Sequence, residues 1–140
     1  MLAPEIHAQR RDALTASVTN PILLMGNGHR PRNLPMSTVA FRQDSSFLYF
    51  TGCTHPGAAL LINDGRSVLY LPEPAEDDAL WHGAVHTIEE LAGELGFSEV
   101  RPSACLEEDT QHLSAIATLA VPDLAQNLRA SALTGTPLSF

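Results

Sequence analysis

Short apolar runs alternate along this chain with polar segments that carry Asp, Thr, Gly or Pro at their ends. Apolar spacing of three and four residues predicts amphipathic helices, whereas brief continuous runs between turn residues predict buried strands. The predicted helices or helical turns cover residues 4–18, 44–52, 76–81, 87–96, 107–113 and 123–133. The predicted strands cover residues 21–25, 58–62, 67–71, 116–121 and 99–105, and Pro102 is expected to break the last of these.

The clearest local signal is a β-hairpin. The runs Ala58–Ile62 and Ser67–Leu71 are joined by Asn63-Asp64-Gly65-Arg66, and an Asp-Gly pair between apolar runs favours a tight hairpin turn. Strands and helices are interspersed along the rest of the chain. The fold class is therefore predicted as α/β, a mixed β-sheet flanked by α-helices and containing this hairpin.

Two predicted helices carry more detailed expectations. In the first, Ile6, Leu14 and Val18 fall near one face, so that face should be buried and the charged residues 10–12 should be exposed. In the second, Asp44 can cap the N-terminus and Gly52 can end the helix in the left-handed conformation. A strand is the alternative for this second segment, because its aromatic residues favour β structure.

Composition narrows the class of protein. The chain has 140 residues, is 44% apolar, and carries 8 basic against 16 acidic residues, a net charge of -8. That is enough apolar material for one domain with a core, and the sign of the charge disfavours nucleic-acid binding. No apolar run approaches the ~20 residues of a membrane span, and the N-terminus does not resemble a signal peptide. Two cysteines without CxxC spacing favour reduced thiols and a cytoplasmic protein.

Four groups of residues could act as chemical sites, and the pattern of each favours a structural explanation. The loop Gly26-x-Gly28, followed by His29, Arg30 and Arg32, could cradle an anion, but the third glycine of a phosphate loop is missing. His82 and His86 have helical metal-ligand spacing without a third ligand. The acidic cluster at 73–78 favours helix capping over acid–base chemistry. Cys53 and His55 are near each other only in sequence.

The region from Arg32 to Gly83 carries a family resemblance. The pair Arg32-Asn33 is followed by the run 41–52, which ends in Thr-Gly and contains three of the chain's five Phe residues and one of its two Tyr residues. Downstream come a Pro-Gly loop, two strands and Trp81-His82-Gly83. This pattern resembles the N-terminal domain of the aminopeptidase P (Xaa-Pro aminopeptidase), prolidase and creatinase family. The resemblance implies a creatinase/prolidase N-terminal fold over residues 1–133, with 134–140 as a tail or the start of a linker.

The resemblance also implies where the chemistry lies. In that family a separate catalytic domain holds two Mn²⁺ ions and cleaves the bond before a penultimate proline. None of its ligands can be assigned in this sequence, so the expectation is no catalytic residue, no metal ligand and no cofactor in this chain. Its role would be oligomerisation and control of substrate access, with the catalytic domain, a second copy and, indirectly, a peptide as partners.

The same resemblance gives the candidate contact residues. The helix that bears the Trp-x-Gly motif can reach the entrance of a neighbouring active site, which makes Trp81 the first candidate and His82 the second. Arg42 and Tyr49, from the aromatic run, are the other candidates for an interface or a substrate-adjacent position. Two alternatives stay open: a stand-alone anion- or small-ligand-binding domain that uses residues 26–32, and the same domain from a prolidase or creatinase relative.

Overall fold

The computed structural model describes residues 3–27, 43–72, 88–119, 121 and 123–135. Within these residues a five-stranded mixed sheet is flanked by helices on both faces, as the sequence predicted. The helices are α1 (Pro4–Ser17), α2 (Ser45–Thr51), α3 (Ile88–Glu94), α4 (Leu106–Thr110) and α5 (Leu124–Thr134). The strands are β1 (Ile22–Met25), β2 (Ala59–Asn63), β3 (Arg66–Leu71), β4 (Val100–Pro102) and β5 (Ala117–Thr118).

The strand order is β4-β3-β2-β1-β5, with antiparallel pairing among β1, β2 and β3 and parallel pairing at both outer strands. The predicted hairpin is β2–β3, in which Asn63 pairs with Arg66. Its two turn residues, Asp64 and Gly65, have φ of 51° and 78°. Positive φ at both central positions matches the twist of the strands, which explains the Asp-Gly pair.

Alternation along the strands divides the core into two clusters. Leu24, Leu60 and Leu69 point to the face covered by α1, α2 and α3. Leu23, Leu61 and the ring of Tyr70 point to the opposite face, covered by α4 and α5. Because successive side chains of a strand face opposite ways, continuous apolar strands require a layer of helices on each side.

The ends of α2 follow the sequence closely. The Asp44 side chain accepts a hydrogen bond from the Phe47 amide at 3.0 Å, and Gly52 closes the helix at φ 69°. The ring of Phe47 is fully buried against the sheet. The helical prediction for this segment is therefore confirmed over the strand alternative.

The later elements agree with the prediction in order and differ from it in some of their bounds, while the break expected at Pro102 is present. The strand expected over 99–105 ends at Pro102, which cannot donate a ladder hydrogen bond, and continues as a 3-10 helix over Ser103–Cys105. The strand expected over 116–121 is confined to β5, and the final helix runs one residue further than predicted, to Thr134. The helix predicted over 76–81 lies outside the described residues.

The orientation predicted for α1 is wrong in part. Leu14 and Val18 pack against the core as expected, but Ile6 is 36% exposed, and Arg11, expected on the outer face, is buried. His7 is buried beside it. The reason is that α1 packs against the C-terminal end of α2, whose carbonyl oxygens require hydrogen-bond donors rather than apolar side chains.

Candidate functional site

Among the four predicted contact residues, Tyr49 lies in the described part of the chain; Arg42, Trp81 and His82 lie outside it. Tyr49 is on the outer side of α2 and is 50% exposed. The Arg10 guanidinium carbon lies 4.0 Å from the centre of the Tyr49 ring, and the Phe50 ring meets it edge to face at 4.9 Å. A half-exposed aromatic ring held by a cation and a second ring is preorganised for contact with a partner.

The position of Tyr49 is set by donors from α1. The Nδ1 atom of His7 lies 2.8 Å from the Tyr49 carbonyl oxygen, which also accepts from Arg10 at 3.1 Å. The Arg11 guanidinium donates to the Phe50 carbonyl at 2.7 Å. These carbonyls have no partner within α2, and the C-terminus of a helix attracts positive charge, so the contacts fix α2 on α1. Burial lowers the pKa of the Arg11 guanidinium, with the charge of Asp12 acting in the opposite direction.

Two apolar side chains accompany Tyr49 on α1 and α2. Ile6 and Leu48 are both exposed, in contrast to the buried residues of the same two helices. We call Ile6, Arg10, Leu48 and Tyr49 the Tyr49 surface. Aromatic, arginine and aliphatic side chains without a neighbouring acid–base pair are suited to binding rather than to catalysis.

The side chain of Gln43, which the sequence did not indicate as important, connects several segments around the aromatic run. Its buried side-chain oxygen accepts from the amides of Asn27 at 2.8 Å and Asp44 at 3.0 Å. Its nitrogen donates to the carbonyls of Cys53 at 3.1 Å and His55 at 3.2 Å. One amide side chain therefore joins the end of β1, the start of α2 and the segment that leads into β2. Only its place in the aromatic run marked Gln43 as special.

The glycine loop is described only at its start. The Gly26 amide donates to the Ala58 carbonyl at 2.9 Å, and the next amide, that of Asn27, donates to Gln43. An anion cradle needs backbone amides that point at the ligand. These two amides are already engaged within the fold, which weakens the anion-binding alternative at this end of the loop.

A groove of about 370 Å³ lies on the other face of the sheet, between the hairpin and α4. Leu61 and Val68 contribute to its lining, together with polar side chains. The Asp109 Oδ2 atom accepts from the Tyr70 hydroxyl and from the Arg101 Nε, each at 2.6 Å. The groove thus combines apolar lining with a carboxylate that already has two donors.

The electrostatics of the groove do not prepare a reactive group. Burial, followed by the hydrogen bond to Asp109, raises the pKa of the Tyr70 phenol, and the charge of Asp109 raises the pKa of Arg101. Both groups therefore keep their protons at neutral pH.

The candidate nucleophile Cys53 is buried, and desolvation raises the pKa of its thiol to about 11. A thiol with that pKa is a weak nucleophile.

The remaining candidate metal-binding and acid–base residues from the sequence are His82, His86 and the acidic residues 73–78. All of them lie outside the described residues. Within the described ranges no three His, Cys, Asp or Glu side chains come close enough to hold a metal ion. In the segments that the structure describes, none of the helices combines the length with the apolar composition that a membrane span requires.

Comparison with known proteins gives a consistent match. The family model "Aminopeptidase P, N-terminal domain" matches residues 7–120. Intermediate cleaving peptidase 55, mitochondrial, from Arabidopsis thaliana is 32% identical over 69 residues, which cover 49% of this chain and 14% of that protein. Human Xaa-Pro dipeptidase is 28% identical over 82 residues, which cover 57% of this chain and 17% of that protein.

Solved structures share the fold. Aminopeptidase P from E. coli, in its low-pH form, superimposes with a TM-score of 0.77 at 18% identity, covering 95% of this chain and 32% of that one. Pseudomonas aeruginosa aminopeptidase PepP gives a TM-score of 0.75 at 22% identity, covering 94% of this chain and 32% of that one. The chain thus spans a third or less of the length of the proteins it resembles.

Proposed function

The chain belongs to the family of aminopeptidase P N-terminal domains, and from this membership we propose that it is the non-catalytic N-terminal domain of a proline-specific metalloaminopeptidase. The observation that carries the proposal is the family match over residues 7–120. The chemistry would belong to a separate catalytic domain with two metal ions, proposed to be manganese, that hydrolyses Xaa-Pro peptide bonds. The proposed compartment is the cytoplasm, although one relative is mitochondrial by name.

The proposed contribution of this domain is assembly and control of substrate access. The Tyr49 surface supports it, because an exposed aromatic ring anchored by Arg10 is typical of a contact between polypeptides. His7 and Arg11 hold α2 rigidly, so a partner would meet a surface that needs little reordering. Trp81, His82 and Arg42 stay predictions for the same role.

A second candidate is the same domain from a prolidase. The similarity to human Xaa-Pro dipeptidase supports this reading, which changes the substrate of the parent enzyme from longer peptides to dipeptides and leaves the role of the domain unchanged. The anion-binding alternative loses support because the Gly26 and Asn27 amides are engaged internally.

The test is an assay of the purified chain against an Xaa-Pro peptide with added Mn²⁺. We expect no turnover by this chain and full turnover by P. aeruginosa PepP as the positive control. Metal-dependent hydrolysis that co-purifies with the chain, and that survives removal of contaminating peptidases, would refute the non-catalytic role. A thermal shift with inorganic phosphate would restore the anion-binding alternative.

A further inference from the structure

The groove between the hairpin and α4 has an apolar floor that strand pairing holds in place. Leu61 of β2 lies directly opposite Val68 of β3 in the antiparallel register, so their side chains share one face of the sheet. Leu113, just beyond the end of α4, adds a third aliphatic side chain to the lining. The volume of about 370 Å³ falls within the range of about 300–1,000 Å³ that is typical of small-molecule sites.

Two arginines of the described region line the groove, and both are already paired. The Nε atom of Arg101 lies 2.6 Å from the Oδ2 atom of Asp109. Arg66 meets the Glu99 carboxylate at two points, through Nε to Oε1 at 3.0 Å and through a terminal nitrogen to Oε2. Since an anionic ligand would have to displace a carboxylate from one of these arginines, the groove does not favour anions.

The three consecutive acidic residues of α4 differ in their partners. Glu107 faces α5, where its Oε1 atom lies 2.8 Å from the Nε atom of Arg129, and Asp109 is bound to Arg101. Glu108 lines the groove and has no hydrogen-bond or ion-pair partner among the residues that the structure describes. Within those residues, the groove therefore keeps one carboxylate without a counter-charge beside an apolar floor.

We propose that this groove binds a small organic ammonium, a primary amine whose branched aliphatic body is about the size of a leucine side chain. The body packs on Leu61 and Val68, and the ammonium lies beside Glu108. An alkylammonium keeps its proton at neutral pH, as lysine does, and the net charge of -8 favours the approach of a cation. The inference goes beyond the proposed function, because it needs neither a catalytic domain nor a second copy of the chain.

The binding should be weak. Glu108 is exposed to water, and an exposed ion pair strengthens binding by a factor of only about three to five. The apolar floor supplies the rest, and it needs no reordering because Leu61 and Val68 belong to paired strands. We therefore expect a dissociation constant of about 1–10 mM for an amine of this size.

The first test compares probes that share one branched carbon skeleton and differ in charge: 3-methylbutylamine, 3-methylbutan-1-ol and 3-methylbutanoate. Backbone amide shifts of the complete chain follow each titration by NMR. His112 also lines the groove, and the titrations are run at pH 7.5 because free imidazole is mostly uncharged there. We expect saturable shifts at residues 61, 68 and 108 with the amine, and binding about three to five times weaker with the alcohol.

The carboxylate should bind more weakly than the alcohol, because Glu108 repels it. The inference fails if the amine gives no saturable shifts up to about 100 mM, or if the alcohol or the carboxylate binds as tightly as the amine.

Glu108→Gln removes the charge and keeps the size of the side chain. We expect it to weaken amine binding to the level of the alcohol and to leave alcohol binding unchanged. Glu94→Gln is the matched control, because Glu94 is exposed in α3, on the opposite face of the sheet, and should alter neither affinity. If the two variants behave alike, Glu108 does not receive the ammonium and the inference is wrong.

Val68→Thr tests the floor, because it keeps the branched shape and adds a hydroxyl. It should weaken the amine and the alcohol by the same factor, about two to three. Circular dichroism checks the fold, and Leu113→Ala, at a partly buried position, gives the same measurement if the threonine variant does not fold. An amine affinity that both variants leave unchanged would place the ligand outside the groove and refute the proposal.

The ammonium can come from a free amine or from the N-terminus of a peptide. Titration with the peptide Leu-Gly-Gly and with its N-acetyl form distinguishes these sources. Shifts at the groove residues that disappear on acetylation assign a peptide N-terminus, whereas binding by 3-methylbutylamine alone assigns a free amine. These results leave the non-catalytic role standing, because that role fails only on hydrolysis by the chain.

Discussion

The side-chain amide of Gln126 donates to the carbonyl oxygen of Gly26 at 2.9 Å and so joins the last helix to the end of the first strand. The amide of the same glycine donates to Ala58, so both of its backbone polar groups are satisfied inside the fold. A Cβ at Gly26 would lie 2.8 Å from the Gln43 side-chain oxygen. The start of the glycine loop therefore serves as a packing junction.

Gln126→Leu removes the donor and leaves the buried Gly26 carbonyl without this partner. An unsatisfied buried acceptor costs about 1–3 kcal/mol, and we expect the free energy of unfolding to fall by that amount. Urea denaturation followed by circular dichroism measures it. Gln9→Leu, at an exposed position of α1, is the control and should change stability by less than about 0.5 kcal/mol. Equal effects at the two positions would show that the contact contributes nothing.

Gly52→Ala tests the end of α2. Gly52 has φ 69°, and a Cβ there would lie 2.7 Å from the Nε2 atom of His7. Strain at a left-handed position together with this clash should cost about 2–3 kcal/mol. Gly93→Ala is the matched control, because Gly93 is the next-to-last residue of α3, has no positive φ and has open space around it, so alanine should stabilise that helix slightly, by less than about 1 kcal/mol. Thermal unfolding should thus shift in opposite directions, and a shared direction would contradict the argument.

Cys53 makes stability depend on pH in the alkaline range. Burial raises the pKa of its thiol from 9.0 to about 11, so between these values the unfolded chain loses a proton that the folded chain keeps. The folded state then binds more protons, and stability falls as pH rises, by about 2 kcal/mol at pH 11. The raised pKa of Tyr70 acts in the same direction above about pH 10, where the phenol of the unfolded chain begins to ionise, so the two effects overlap near pH 11. Urea denaturation at pH 8 and at pH 11 measures this loss of stability.

The control for this pH dependence is Cys53→Ala. It lowers stability at every pH through lost packing but should remove the slope between pH 9 and pH 10 and reduce it between pH 10 and pH 11, where Tyr70 still contributes. A thiol reagent at pH 8 should also modify Cys105, which is partly exposed, before Cys53, which is buried. An unchanged slope in the variant would mean that other groups cause the alkaline loss of stability.

Local signals in the sequence were reliable because their partners lie within a few residues. Asp44 caps the amide of Phe47, Gly52 ends the same helix, and the Asp64-Gly65 pair turns the hairpin. Each depends on backbone conformations that a short segment decides by itself. The fold class followed from these elements and from the apolar strands between them.

Polar side chains with distant partners were not predictable in the same way. His7 and Arg11 face carbonyls about forty positions away, and Gln126 reaches a carbonyl 100 positions away. Hydrophobic periodicity assigns such residues to the outer face of a helix, because it considers side-chain polarity alone and not the backbone carbonyl groups that need hydrogen-bond donors. Of the candidate site, the aromatic run indicated Tyr49, whereas the contact between Tyr49 and Arg10 depends on the packing of α1 on α2 and has no local signal.

The neighbouring arginines of α1 provide the last prediction, because similar contacts should differ in strength with burial. Arg11 is buried, donates to the Phe50 carbonyl at 2.7 Å and lies 4.1 Å from the centre of the Phe97 ring. Arg11→Met keeps an unbranched stem but removes the charged donor, and we expect it to lower the free energy of unfolding by about 2–3 kcal/mol.

Arg10→Met is the matched change at the partly exposed position, where water can replace the lost donor, and it should cost less than about 1 kcal/mol. Urea denaturation of both variants at neutral pH compares them. If the two variants lost similar amounts of free energy of unfolding, burial would not strengthen the contact between Arg11 and the end of α2. If both variants instead kept full stability, the donors of α1 would not be what holds α2, and the Tyr49 surface would lack the rigid support on which its proposed role depends.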